Sequence, residues 1–175
     1  MSLLRSHNWK WTERADIKIG YRTHLDLQYA HTSQNRGYDR MMRSSEPSIL
    51  IEIRWPSDFQ NKFRVSYERS ETTDGRIQDV SNNWKSQYDI IWRKRDLLFI
   101  RRLEFRQMIS GTRLRTEGFY PRKAYTLASG TSLDLYPVHS LILRMQVDFT
   151  RYWDRLVFEN DYTEVTLNLK ASLRF

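Results

Sequence analysis

Leu141-Ile142-Leu143-Arg144-Met145-Gln146-Val147-Asp148-Phe149 carries an apolar residue at every odd position. From Arg144 onward the even positions are polar. A period of two gives a strand with one apolar and one polar face. The same rhythm runs through the chain. Trp9, Trp11, Ala15, Ile17, Ile19, Tyr21, Leu25, Leu27 and Tyr29 alternate with mostly polar residues, and so do Ile49–Trp55, Phe63–Tyr67, Trp84–Trp92 and Val165–Phe175. No helical period of comparable strength competes.

The pattern predicts about nine strands, near 3–13, 16–31, 48–55, 61–71, 83–93, 97–109, 123–136, 139–153 and 162–175. Several exceed the usual five or six residues of globular strands. The seventh is diluted on its apolar face by Ser129 and Thr131. In the sixth, strict alternation puts Arg101 among Leu97, Phe99, Leu103 and Phe105, which a bulge at Arg101-Arg102 would repair. Short turns are expected at Glu13–Asp16, Pro56–Gln60, Arg93–Asp96 and Pro137–Ser140, and long polar loops at Thr32–Pro47, Thr72–Asn82 and Ser110–Arg122. An aromatic precedes each short turn: Trp11, Trp55, Trp92 and Tyr136.

Composition narrows the classes. The 175 residues amount to one domain, spanning 1–175. The net charge is +8, carried by 22 Arg and 7 Lys against 21 acidic residues. With no cysteine there is no disulfide, thiolate metal site or cysteine nucleophile. The longest apolar runs are about four residues, far short of a transmembrane helix. Met1 to Trp11 lacks the apolar stretch of a secretory signal.

The expected fold is therefore all-β: an antiparallel up-and-down meander forming a β-barrel. Period two alone does not say whether the apolar face points inward, as in a soluble barrel, or outward to lipid. Large apolar residues on long strands, aromatics beside the short turns, and short turns opposite long loops favour lipid, with Trp11, Trp55, Trp92 and Tyr136 as an aromatic girdle. The alternative is a soluble antiparallel barrel or sandwich that binds an apolar ligand or partner.

The final segment, Val165-Thr-Leu167-Asn-Leu169-Lys-Ala171-Ser-Leu173-Arg-Phe175, resembles the terminal strand of bacterial outer-membrane β-barrel proteins. The resemblance implies that the barrel-assembly machinery reads Leu169, Ala171, Leu173 and Phe175. It also implies an outer-membrane location and a role as membrane anchor, pore or secretion and assembly component. Placing Phe175 on the periplasmic side puts every short turn there too. An odd strand count then suggests the C-terminal part of a larger barrel, unless a strand within 110–136 is miscounted.

The expected lumen face carries Lys10, Arg14, Lys18, Arg22, Asp26, Glu52, Arg54, Arg64, Glu68, Lys85, Asp89, Arg102, Glu104, Arg106, Arg144, Asp148, Lys170 and Arg174. It reads as a pairing network that fills the lumen, or as an anion-preferring pore or basic binding lumen. Enzyme signals are weak. The His139-Ser140 pair sits in an expected turn, unlike the His and Ser of outer-membrane lipid hydrolases, and His24 beside Asp26 has no evident nucleophile. No cofactor is expected. Nucleic acid is not expected either, because alternation separates basic groups from stacking aromatics. Arginines in the expected loops (Arg36, Arg40, Arg43, Arg113, Arg115, Arg122, with Lys123) suit lipopolysaccharide phosphates or a partner protein.

Overall fold

A computed structural model describes residues 7–35, 40–56, 58–74, 77–97, 100–119, 121–138 and 141–173. Nine antiparallel strands follow one another in a single sheet ordered β1 to β9. They are β1 (His7–Ile19), β2 (Thr23–Asn35), β3 (Arg40–Arg54), β4 (Phe59–Asp74), β5 (Ile77–Leu97), β6 (Ile100–Glu117), β7 (Arg122–Val138), β8 (Leu141–Asp154) and β9 (Tyr162–Leu173). One 3-10 turn, Phe158–Asn160, lies between β8 and β9. Each strand touches only its sequence neighbours, so the sheet is open and β1 and β9 are its edges. Closure into a barrel, expected from the sequence, is not present between these nine strands.

The first hairpin turns later than expected. Glu13–Asp16 lies inside β1, and the chain reverses at Gly20-Tyr21-Arg22. Gly20 adopts a φ of 66°, a left-handed conformation that suits glycine. Asp16 opposes Asp26 and keeps the alternation unbroken through the acidic pair.

The three expected long loops are mostly strand. β2 runs on to Asn35, β4 to Asp74 and β6 to Glu117, each pairing with the strand that returns. These extensions are mostly polar on both faces, as with Arg43 and Ser44, Ser70 and Glu71, or Arg115 and Thr116. Cross-strand backbone bonds hold them without any apolar rhythm. Since β6 and β7 run through 110–136 with only the turn between Glu117 and Arg122, no strand is miscounted there.

The bulge at Arg101-Arg102 is absent. Lys94↔Leu103, Arg95↔Arg102 and Leu97↔Ile100 share one register, which leaves Arg101 exposed on the apolar face near a short turn. The register shifts instead between Leu135 and Val138, around Pro137, which lacks the N–H that a ladder needs.

Candidate functional site: an outward apolar belt over a charged inner face

Only two apolar residues, Ile91 and Ala124, are buried among the described residues. The buried polar set is larger: Ser33, Glu52, Ser66, Asp134 and Asp154. Conversely, Leu169 is 72 % exposed, Val165 67 % and Trp84 51 %. The polar face is thus the sheltered one, and the apolar face is bare. The chain exposes 13118 Å², against about 9100 Å² for a compact monomer of its 21.3 kDa.

The bare face is ordered into a belt. One register row runs Ile17, Leu25, Ile51, Phe63, Tyr88, Ile109, Ser129, Phe149, Val165 across all nine strands. In β1 most apolar positions, from Trp9 to Ile17, lie at or above this row, toward the extended hairpin ends. In β9 all of them, Val165 to Leu173, lie at or below it. The belt slips by about seven residues over eight steps, or about 3 Å along the strand for each 4.8 Å across. The strands therefore cross the belt at about 30° from its normal.

Aromatics bound the belt. Trp84 and Tyr67 pair on its upper side with ring centroids 4.6 Å apart, and Trp92 opposes Phe59 on the lower side. Tyr29 continues the upper side on β2, while Tyr125 and Trp153, whose stacked rings lie 5.5 Å apart, stand beyond the slipped belt on β7 and β8. Trp84 and Trp92 are separated by about 27 Å along β5.

The four expected girdle residues do not form one ring. Trp55 and Trp92 share the short-turn side. Trp11 packs edge-on against Tyr29 at 5.8 Å, on the upper side, because the first turn lies beyond Glu13–Asp16. Tyr136 points to the polar face, opposite Arg102, whose guanidinium lies 5.2 Å over its ring.

The dilution of β7 has a local explanation. Gln107 faces Thr131 in register and bonds both Thr131 and Ser129. Three polar residues on the apolar face satisfy one another, which removes most of the penalty for their exposure to an apolar medium.

On the polar face most expected lumen charges are paired. Glu104 draws Arg93 at 3.0 Å, Arg102 at 2.6 Å and Arg106 at 3.4 Å. Glu52 receives Arg54 at 2.7 Å and Lys62 at 3.3 Å. Asp134 accepts two bonds from Arg144, at 2.7 and 2.6 Å. Asp26 accepts two from Arg14, at 3.0 and 2.7 Å. Lys85 reaches Glu68 at 3.0 Å, and Gln146 reaches Asp148 at 2.7 Å.

Arg64 is exposed with no ion-pair partner among the described residues. Arg22 sits in the first turn, 4.8 Å over Tyr21, and lines a cleft with Lys18, His24, Glu52 and Arg54. Glu104, Asp134, Tyr136, Arg144 and Asp148 line a cleft of about 320 Å³.

The sequence reading placed Arg93 in a turn and omitted Lys62 and Asp134 from the charged face. Lys62 shares the parity of Arg64 and was legible. Asp134 was hidden by the weak alternation of β7. Of the expected assembly residues, Leu169, Ala171 and Leu173 are exposed on the apolar face, while Phe175 lies outside the described residues, as do Arg36, His139, Ser140 and Arg174.

Among the described residues no three His, Asp or Glu side chains are grouped as for a metal. The sequence matches no protein-family model, and none of the curated proteins matches it.

Proposed function

We propose that this chain supplies nine lipid-facing strands of a transmembrane β-barrel in a bacterial outer membrane, enclosing an arginine-rich polar lumen. Its role is that of membrane anchor, pore or secretion and assembly component. One observation carries the reading: large apolar side chains cover the bare face while Glu52 and Asp134 are buried on the other. A soluble barrel that binds an apolar ligand needs the opposite arrangement.

The dimensions support it. The aromatic lines are about 27 Å apart along the strands, or about 23 Å after allowing for the inclination, near the 25 Å apolar band of outer-membrane barrels. The inclination itself lies close to the strand tilt of closed barrels. An unpaired, bare edge at β1 and at β9 is a hazard that closure removes.

Strand parity constrains the closure that this reading requires. β1 and β9 point the same way, so they could join each other only in parallel. Antiparallel closure needs an odd number of further strands. A second copy related by a two-fold axis along the membrane normal would again meet edge to edge in parallel. Completing strands from a different segment would meet this requirement, with these nine strands as one part of the barrel wall. Leu169, Ala171, Leu173 and Phe175 then form the face that the assembly machinery reads.

On the inner face, Glu104 is outnumbered by its cations and Arg64 lacks a carboxylate, so the lumen favours anions. The test is refolding from urea in buffer, in phosphatidylcholine micelles and in vesicles, followed by circular dichroism and by mobility of unheated and boiled samples on denaturing gels. Micelle-dependent β-structure with a heat-sensitive band is expected. A monodisperse folded chain in plain buffer would overturn the reading.

A further inference from the structure

The net positive charge is unevenly placed. Where the belt ends at Ile109, Leu127 and Phe149, β6 to β8 gather Arg113, Lys123, Arg151 and Arg155 around Tyr125 and Trp153. Arg113, Tyr125 and Trp153 lie in one register row, on three adjacent strands. Arg155 lies 5.4 Å over the Tyr125 ring and Arg151 lies 5.9 Å from the centre of Trp153. The Arg155 amide also donates to the Lys123 carbonyl at 3.0 Å.

None of these four cations has a carboxylate partner among the described residues, although nearby Arg115 has Glu117 at 2.7 Å and Arg69 has Glu71 at 2.8 Å. Stacking on a ring uses the face of a guanidinium and leaves its N–H edge for an anion. Three of the cations project from strand positions on the apolar face, at the rim of the belt, within about 10 Å across the strands.

We propose that Arg113, Lys123, Arg151 and Arg155 bind the phosphates of a lipid headgroup that carries more than one negative charge. The inference rests on the membrane reading above. Position argues for a lipid rather than a soluble anion: the acyl chains of such a lipid lie along the belt from Ile109, Leu127 and Phe149 downward while its phosphates reach the cations at the belt's end. Number argues for more than one phosphate, since four unpaired cations face it. The buried Asp154 carboxylate fixes the geometry from the other face. It accepts the Leu156 amide at 3.0 Å and has Arg122 at 3.5 Å, so the segment that carries Arg155 is tied down.

The test uses the full chain folded into phosphatidylcholine vesicles that contain a minor fraction of dansyl-labelled lipid: diphosphorylated lipid A, dephosphorylated lipid A or phosphatidylglycerol. Tryptophan-to-dansyl transfer reports binding. Diphosphorylated lipid A should bind more tightly than either comparison lipid. Arg113→Gln and Arg155→Gln should each weaken it about fivefold. Arg43→Gln, on the same face but distant on β3, should leave it unchanged.

Equal binding of phosphorylated and dephosphorylated lipid A would overturn the inference. So would equal binding of phosphatidylglycerol, or an Arg43→Gln effect as large as that of Arg113→Gln. Normal folding in pure phosphatidylcholine with any of those results would leave the membrane reading standing. Failure to enter phosphatidylcholine vesicles at all would overturn both.

Discussion

Asp134 and Arg144 face each other across the β7–β8 ladder, and Arg144 donates two hydrogen bonds to the Asp134 carboxylate, at 2.7 and 2.6 Å. The pair is lopsided: the Asp134 side chain is 10 % exposed and that of Arg144 49 %. Removing either partner therefore has unequal consequences. Arg144→Ala strands a sheltered carboxylate, whereas Asp134→Ala frees a guanidinium that already reaches water. We expect Arg144→Ala to cost about 1–3 kcal/mol, reduced from the fully buried case by the solvent at Arg144. Asp134→Ala should cost less. Urea unfolding in micelles with a double-mutant cycle measures both, and equal costs would contradict the asymmetry.

The apolar face gives a depth-dependent prediction. Leu143 and Leu167 lie within the belt, and an arginine there meets hydrocarbon in the membrane reading. Leu143→Arg and Leu167→Arg should each destabilise by about 2–4 kcal/mol, while arginine at Val138, on the short-turn rim, should cost about 0–1 kcal/mol. Refolding yield and unfolding midpoint in vesicles report the difference. A flat profile from rim to belt would argue against lipid contact.

Much of this was legible in the sequence, because a two-residue period survives wherever one face is apolar. The strand count, the sheet order and most of the charged face followed from it. The hidden features share a cause. The extensions of β2 to β7, such as Arg69–Asp74 opposite Ile77–Asn82, are mostly polar and carry no regular apolar period. The first turn was misplaced because the charged cluster Glu13–Asp16 resembles a turn although its backbone pairs with Asp26–Tyr29. Tyr136 was assigned to the wrong face because β7 alternates weakly around Ser129 and Thr131. Openness of the sheet could not be read from the sequence, since alternation specifies a strand's faces and not which edge meets which.

Gly118 tests one of these extensions. Its φ is 136°, and a Cβ there would collide with the Asp79 carboxylate and meet the Gln78 carbonyl at 2.8 Å. The same Asp79 carboxylate accepts the Phe119 amide at 2.8 Å. Gly118→Ala is thus both strained and in collision, and should cost about 1–3 kcal/mol locally. Because the site lies beyond the belt, the loss should appear as faster proteolysis and amide exchange around 78–80 and 116–119. The heat-modifiable core should remain. Loss of the whole fold would show that the extension is not separable from the belt.

Asp154 supplies a pH dependence with a definite sign. Its carboxylate lies beyond the belt, where the Leu156 amide chiefly, with Arg122 alongside, holds it below the usual carboxylate range despite its burial. A group whose folded value is depressed stabilises fully above its unfolded value, about 3.9. That stabilisation is lost as pH falls through the lower folded value. The segment 155–161 should therefore stay anchored from neutral pH down to about pH 4 and loosen only below it. Amide exchange at Leu156, compared between pH values after correction for the intrinsic rate, measures the change. In Asp154→Asn the same segment should be loose at neutral pH and should show no such acid transition. A wild-type transition that survives the substitution would place the titrating group elsewhere.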